Sequence, residues 1–273
     1  MAMIFLNEIS LTGRLTKKPE LRFYKNSNGI DSPVTTARIC FNDKRNSSRV
    51  NFINVEVFGQ KAVRICEKCD KGSLVYVKGS LRKTKYTTKD GHTRYKVDIL
   101  CESIRQAEGV YLNNLEISGY ITRKPEFKNI ITKTGTNLEL ATTSVAFKDK
   151  RNYDNSYFIN VVIFGDNAKR FYENLEKGTP VYMKGNLKNT SYEKNGERRH
   201  YLEFVIEEYQ KIYIKKNDSN SNNTLDKDID TKEENIINED INKEDINKIE
   251  VTTNQKDDNI FGFSLMDYDD IPF

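Results

Sequence analysis

Residues 52–59, Phe-Ile-Asn-Val-Glu-Val-Phe-Gly, alternate between apolar and mixed positions in the way that a β-strand does. Successive side chains of a strand point to opposite faces of its sheet, so Ile53, Val55 and Val57 share a face that can be core. The opposite face carries two phenyl rings with an amide and a carboxylate among them. Burying those polar groups unpaired would cost about 2–7 kcal/mol each. The pattern therefore favours a solvent-facing surface with exposed rings, on which nucleic-acid bases can stack. A strand buried on both faces is the alternative, since alternation alone does not determine burial.

This strand pattern occurs twice in the chain. Residues 158–165, Phe-Ile-Asn-Val-Val-Ile-Phe-Gly, repeat it with Val162 in place of Glu56. A shift of 106 residues aligns 6–86 with 112–192 without a gap, and 32 of the 81 pairs are identical. A period of this length indicates a duplicated domain rather than a solenoid.

Within one copy the pattern predicts a β-rich domain with a single helix. The helix is expected over residues 60–69, where Gly72 follows as a stop signal, and Gly79 is expected to form a bulge or bend in a long strand. The predicted strands are 9–15, 34–41, 51–58, 74–86 and 95–104. Five strands with one helix between the third and the fourth are typical of the OB-fold, a five-stranded Greek-key barrel. The fold class is therefore all-β, with two tandem OB-folds.

The predicted domain boundaries follow the repeat and the composition. OB-fold 1 is expected over residues 1–107 and OB-fold 2 over 108–215. Residues 216–260 are rich in Asn, Asp, Lys, Glu and Ile and contain no aromatic residue, Gly or Pro. This composition predicts a disordered polar tether, and residues 261–273 form an acidic tip with apolar residues.

The formal charge of +4 is unevenly distributed. Residues 1–107 carry 21 basic and 10 acidic side chains, residues 108–215 carry 17 and 14, and residues 216–273 carry 6 and 16. The net charges are thus +11, +3 and −10. A basic front with an acidic tail indicates a polyanionic partner, and we expect the first copy to attract it more strongly.

Other functional classes find little support in the residues. No apolar run approaches the 18 residues of a membrane span, and the start lacks the features of a signal peptide, so an intracellular protein is expected. No Ser/His/Asp set, P-loop or carboxylate pair with supporting context predicts an enzyme, and no cofactor or metal site is expected. Cys66 and Cys69 form a lone CxxC pair whose counterparts are Tyr172 and Leu175. We interpret the cysteines as small buried hydrophobic residues.

The chain resembles the bacterial single-stranded DNA-binding protein family. The matching stretches are 9–15 (Ile-Ser-Leu-Thr-Gly-Arg-Leu), Pro19-Glu20, Phe58-Gly59, 71–82 (Lys-Gly-Ser-Leu-Val-Tyr-Val-Lys-Gly-Ser-Leu-Arg) and 266–273 (Met-Asp-Tyr-Asp-Asp-Ile-Pro-Phe). The resemblance covers both copies and the C-terminus and implies the variety with two OB-folds per chain. It implies non-catalytic, sequence-independent binding of single-stranded DNA in replication, recombination and repair, in the cytoplasm at the nucleoid. Because the family usually presents four OB-folds per functional unit, it also implies a homodimer.

The resemblance and the basic residues together define a candidate DNA-binding set. The stacking aromatics implied by the resemblance are Phe41, Phe52, Phe58 and Tyr86 in copy one, and Phe147, Phe158, Phe164 and Tyr192 in copy two. The flanking cations, interpreted as a phosphate track, are Arg14, Lys44, Arg45, Lys83, Lys85 and Arg82 in copy one, and Lys150, Arg151 and Lys188 in copy two. The alternatives are rings that belong to the core and a generic solvated basic surface.

The tip is the candidate partner-binding segment. Its residues are Asp267, Tyr268, Asp269, Asp270, Ile271, Pro272 and Phe273. A partner cation can pair with its carboxylates while the terminal ring fills a pocket, and the resemblance implies replication, recombination and repair proteins as partners. A merely solubilising acidic end is the alternative. For the whole chain, the competing functions are an RNA-binding OB-fold protein and the substrate-binding subunit of an enzyme.

Overall fold

The computed structural model describes residues 5–42, 50–87, 91, 93–109, 111–131, 135–194 and 197–213, with the backbone alone at 85, 86, 93, 94, 191–194 and 197–200. The predicted tether and tip, and the loop 43–49, lie outside the described residues. The elements of copy one all lie between residues 7 and 106, and those of copy two between 113 and 211.

Within the described residues, each copy contains six strands and one helix. Copy one consists of β1 (Asn7–Leu15), β2 (Arg22–Lys25), β3 (Asp31–Asn42), β4 (Val50–Phe58), α1 (Gln60–Lys68), β5 (Leu74–Thr87) and β6 (Thr93–Gln106). Copy two consists of β7 (Asn113–Ile121), β8 (Glu126–Ile131), β9 (Asn137–Lys148), β10 (Ser156–Phe164), α2 (Asp166–Asn174), β11 (Pro180–Lys194) and β12 (Glu197–Lys211). The five predicted strands and the helix are all present in each copy.

Strand pairing closes each copy into a barrel. In copy one β1 pairs with both β3 and β5, β3 pairs with β4, β4 runs parallel to β6, and β6 pairs with β5. Copy two repeats these pairings with β7 and β9–β12. The prediction of two OB-folds is therefore confirmed. The short strands β2 and β8, which the pattern did not predict, each add a hairpin partner to the following strand.

The core of each barrel is formed by the inward positions of its strands. Ile9, Leu11 and Leu15 of β1 are at most 1% exposed, and their neighbours in the chain include the half-buried Glu8 and Ser10. The helix contributes its own apolar face, since Ala62 and Ile65 of α1 are buried against the same cluster. Alternation thus marked the inner face of the barrel correctly.

The predicted bulge at Gly79 is confirmed. The register between β5 and β6 shifts between Lys78 and Gly79, and the register between β11 and β12 shifts at the corresponding Lys184 and Gly185. Close backbone approach explains the glycines, because a Cβ atom at Gly79 would lie 2.2 Å from the carbonyl oxygen of Leu100. A bulge of this kind bends the strand so that it can continue around the barrel.

A buried asparagine fastens each bulged strand to the start of the barrel. The Asn7 side chain donates to the Leu81 carbonyl at 2.9 Å and accepts from the Leu81 N–H at 2.9 Å. Asn113 makes the same two bonds with Leu187, also at 2.9 Å. The repeated asparagine therefore completes backbone hydrogen bonding within the barrel wall.

The two barrels are joined by an antiparallel pairing of β1 with β7. Its register runs from Asn7 opposite Ile117 to Leu11 opposite Asn113, so both barrels belong to one twelve-stranded sheet. The pairing extends beyond the strands, since the Thr12 N–H donates to the Leu112 carbonyl at 2.8 Å. The copies therefore form one body, with their sheets continuous across the junction.

Candidate nucleic-acid interface

The strand β4, which contains residues 52–58, has one buried and one solvent-facing side, as its sequence pattern predicts. Ile53, Val55 and Val57 of β4 are 4%, 0% and 0% exposed, whereas the Phe52 side chain is 42% exposed and Phe58 is half-buried. The interpretation of β4 as a strand with one solvent-facing aromatic surface is confirmed, and burial on both faces is excluded for copy one.

The polar residues of this face are partnered along the sheet. Asn54 donates to the Asp98 carboxylate at 3.1 Å, and Arg82 pairs with the Glu56 carboxylate. Arg82 therefore lies on the candidate surface, but its charge is compensated by Glu56. A phosphate near Arg82 would have to compete with that carboxylate, so we expect Arg82 to contribute less than a free cation would.

Side chains of β2 and β3 that the sequence analysis did not identify extend the aromatic surface of β4. The Arg38 guanidinium lies 5.1 Å from the centroid of the Phe52 ring, and Tyr24 meets Phe58 edge to face with centroids 5.6 Å apart. Phe23, the neighbour of Tyr24 on β2, is 63% exposed, but its side chain points to the opposite face of the strand. The available signal was the run Leu-Arg-Phe-Tyr-Lys at 21–25, where aromatic and basic residues adjoin. The surface formed by Tyr24, Arg38, Phe52 and Phe58, which share one face of the sheet, is called the copy-one platform below.

Two of the predicted stacking rings lie in the core instead. Phe41 and Phe147 are each 3% exposed and belong to the main hydrophobic cluster. The physical reason is strand parity, because Phe41 shares its face of β3 with the buried Ala37 and Ile39. A base cannot reach either ring in this structure, so both are left out of the platform.

In copy two the face of β10 that corresponds to the copy-one platform is largely buried. Phe158 is half-buried, and Phe164 packs against a separate small cluster that includes Val162, the residue in place of Glu56. The other members of that cluster are Ile130, Leu138, Leu140 and Val205. Lys188 is only 5% exposed, so its predicted place on an exposed phosphate track is not seen; it stands directly opposite the buried Glu203 on β12.

The remaining cations of copy one differ in their surroundings. Arg14 is exposed and donates to the Gly72 carbonyl at 3.0 Å. The Lys83 amine lies 4.8 Å from the centroid of the Tyr95 ring, and burial lowers the pKa of Lys83 because desolvation penalises its charged form. Arg14 is thus open to a phosphate, while Lys83 with the 58% exposed Tyr95 forms a second aromatic and basic pair.

Lys150 and Arg151 of copy two reach copy one. The Lys150 amine lies 3.0 Å from carboxylate oxygens of both Glu8 and Glu102, and the Arg151 guanidinium lies 6.0 Å from the centroid of the Phe58 ring. The hydrogen bond from Lys150 lowers the pKa of Glu8, and the bond to Glu102 raises the pKa of Lys150. Both shifts favour the charged forms of Glu8 and Lys150 at neutral pH.

Several predicted site residues lie outside the description of side chains. Lys44 and Arg45 belong to the loop 43–49, and only the backbone is described at Lys85, Tyr86 and Tyr192. The backbone places Tyr86 opposite Arg94 and Tyr192 opposite Arg199 near the ends of their hairpins. Their roles, and those of the tip residues 267–273, stay predictions.

The cysteines are embedded in copy one. Cys69 and Cys101 are 1% exposed, and burial raises the pKa of the Cys69 thiol and brings that of Cys101 to about 11. Cys66 is half-buried and packs against the core. Thiols with raised pKa values are poor nucleophiles at neutral pH, which agrees with the interpretation of these cysteines as packing residues.

Two OB-fold barrels with an exposed aromatic and basic sheet face define an oligonucleotide-binding class of protein. The model of the Single-strand binding protein family matches residues 6–107 and 112–212, and the chain belongs to that family. Within the described residues, no helix has the length and apolar character to span a membrane.

Individual relatives resemble one copy or the whole two-barrel unit. Single-stranded DNA-binding protein 2 of Staphylococcus aureus is 33% identical over 103 residues, which are 38% of this chain and 73% of that protein. Single-stranded DNA-binding protein of Bacillus cereus is 30% identical over 103 residues, covering 38% of this chain and 61% of that protein. The structure of the wild-type single-stranded DNA binding protein from Thermus aquaticus has the same fold, with a TM-score of 0.59 at 22% identity over 79% of this chain and 97% of that chain.

Proposed function

We propose that this chain binds single-stranded DNA without sequence preference and catalyses no reaction. The observation that carries the proposal is the copy-one platform, in which the exposed ring of Phe52 lies beside Arg38 and the exposed ring of Tyr24 meets Phe58. Aromatic rings stack on any base, and neighbouring cations attract the phosphates, so the combination binds single strands regardless of sequence. The names of the relatives and the +11 charge of residues 1–107 support the same function.

Coating of single strands would place the protein in DNA replication, recombination and repair, in the cytoplasm at the nucleoid. Recruitment of proteins of those processes is assigned to the tip, whose acidic and apolar residues suit a partner with a basic rim around an apolar pocket. Deletion of 267–273 should abolish such recruitment without weakening DNA binding. Partner capture that persists in the deleted chain would remove the tip from the proposal.

The proposed binding predicts a preference that a titration measures. Oligo-dT and oligo-U are titrated at equal salt, with the quenching of tyrosine fluorescence as the signal, because the chain has 15 Tyr and no Trp. We expect tighter binding of oligo-dT. The logarithm of the binding constant should fall linearly with the logarithm of the salt concentration, with a slope of about −0.7 per phosphate neutralised. Tighter binding of oligo-U would assign the platform to RNA, and the absence of binding to both would contradict the proposal.

A homodimer with four OB-folds is proposed as the assembled form. The supporting fact is that each chain supplies two barrels already joined by β1 and β7, which is half of that number. Mass photometry at micromolar concentration should therefore give twice the mass of the chain. A single-chain mass under those conditions would reject the dimer.

A further inference from the structure

The loop between β9 and β10 of copy two lies against copy one. At residue 150 its lysine reaches two strands of the other barrel, since Glu8 is on β1 and Glu102 is on β6, and each oxygen is 3.0 Å from the amine. At residue 153 the tyrosine ring lies 6.3 Å from the ring of Phe5, centroid to centroid. The loop therefore contacts copy one at two points on either side of Arg151.

The same loop is held internally on both sides of Arg151. The Asp149 carboxylate, 8% exposed as a residue, accepts from the Arg151 N–H at 2.8 Å and from the Tyr157 hydroxyl at 2.7 Å. The Asp149 N–H donates to the Asn155 carbonyl at 3.0 Å, which closes the loop. Burial raises the pKa of Tyr157 to about 12, so its hydroxyl keeps the proton that it donates.

Arg151 is thereby directed onto the copy-one platform. Its guanidinium carbon lies 6.0 Å from the centroid of Phe58, whose ring is contacted from within copy one by Tyr24. The aromatic ring thus comes from one copy and the exposed cation beside it from the other. A second link fixes the two copies nearby, because the Phe52 N–H donates to the Asn189 side chain at 2.6 Å and the Asn189 N–H donates to the Asn51 side chain at 2.7 Å.

We propose that Phe58 and Arg151 form a single nucleotide subsite that spans the two copies, and that Lys150 positions Arg151 by binding Glu8 and Glu102. The inference rests on the single-stranded DNA binding proposed above. In the subsite the base stacks on Phe58, while the guanidinium pairs with the phosphate of that nucleotide, which is the geometry that a planar cation favours. Lys150 is then a positioning residue and not a phosphate contact.

The surroundings of Lys150 favour a role in positioning Arg151 over a direct contact with a phosphate. A phosphate at its amine would face two carboxylates, and Glu8 is shared with Lys78 at 3.4 Å. The pairing of Lys150 with Glu8 and Glu102 also depends on a residue that copy two does not repeat. The residue that corresponds to Glu8 in copy two is Asn114, so the sequence does not repeat the pair of carboxylates there.

The test is the double variant Glu8→Gln/Glu102→Gln in the full chain. It removes two negative charges, so simple attraction predicts tighter binding of oligo-dT. Loss of the Lys150 ion pairs predicts weaker binding of oligo-dT instead, because Arg151 is then no longer held in the subsite. We expect affinity to fall about tenfold, which is the effect of one charge-assisted contact. The slope of the log binding constant against log salt should become shallower by about 0.7, although the net positive charge has increased.

The matched control is Glu126→Gln/Glu176→Gln. It removes the same charge from two carboxylates that pair with Arg123 and Lys124 at 3.0 and 2.9 Å, entirely within copy two. We expect its affinity to be unchanged or slightly higher and its salt dependence to be that of the wild type.

Further outcomes decide the proposal. Arg151→Ala should weaken oligo-dT binding about as much as the Glu8→Gln/Glu102→Gln variant, and the two changes combined should lose no more than either alone. Arg151→Ala touches neither carboxylate, so it provides the test even if the glutamine variant unfolds. Unchanged affinity in Arg151→Ala, or tighter binding in a folded glutamine variant, overturns the shared subsite. Failure of the wild type to bind oligo-dT would instead reject the underlying function.

Discussion

The double variant Phe52→Ala/Phe58→Ala is expected to lose at least about 30-fold in affinity for oligo-dT, since each base–aromatic stack contributes roughly 1–3 kcal/mol. Both rings belong to the copy-one platform, and truncation removes the surfaces on which bases would lie without removing a cation. The salt dependence of binding should therefore stay close to that of the wild type. The measurement is the tyrosine-quenching titration at several salt concentrations.

A matched aromatic deletion distinguishes stacking from general damage. Tyr172, a 37% exposed residue of α2, is comparable in exposure to Phe52 but lies outside the platform. Tyr172→Ala should bind oligo-dT as the wild type does. If the double variant loses its folded circular dichroism signal rather than its affinity, the two rings serve the core and the stacking role is wrong.

The largest loss of stability is expected from Gly185→Ala. A Cβ atom at this bulge would lie 2.0 Å from the carbonyl oxygen of Val205 and 2.9 Å from its carbonyl carbon. Both are backbone atoms held in the ladder between β11 and β12, so neither can move without breaking strand hydrogen bonds. We expect the free energy of unfolding to fall by more than about 3 kcal/mol, measured by urea denaturation followed by circular dichroism.

Gly109→Ala supplies a graded comparison for that experiment. Gly109 has a φ of +68° but no atom within 4 Å of the Cβ position, so only the left-handed backbone conformation is penalised. That penalty is about 1–2 kcal/mol. A Gly185→Ala variant no less stable than Gly109→Ala would show that the strands separate more easily at the bulge than the structure indicates.

The sequence predicted the barrel well, because each long strand buries alternate residues. β2 was missed for a physical reason, since all four of its residues are exposed and it therefore has no apolar face to produce alternation. The pairing of β1 with β7 was missed because backbone hydrogen bonds between strand edges leave no local signal in side-chain type.

The candidate site was predicted less completely than the fold. The rings of β4 were identified because polar neighbours marked their face as exposed, whereas Phe41 was placed on the surface although its parity with Ala37 and Ile39 indicated the core. The compensation of Arg82 by Glu56 and of Lys150 by two carboxylates depends on contacts between distant strands. Counting charges along the chain therefore overstated the number of cations free to meet a phosphate.

The joining of β1 and β7 within one polypeptide also alters how the two barrels can evolve. When identical chains associate, each substitution appears in every barrel, and a change that helps one surface is imposed on the other. Here each barrel has its own coding sequence, so a substitution in one barrel leaves the other unchanged. Covalent linkage also keeps the two barrels at a high effective concentration whatever the protein level. The halves have diverged accordingly: Phe23 and Tyr24 have Asn129 and Ile130 as their counterparts, and Glu56 has Val162. The duplicated gene can thus specialise one surface while keeping the β1–β7 pairing that joins the two barrels.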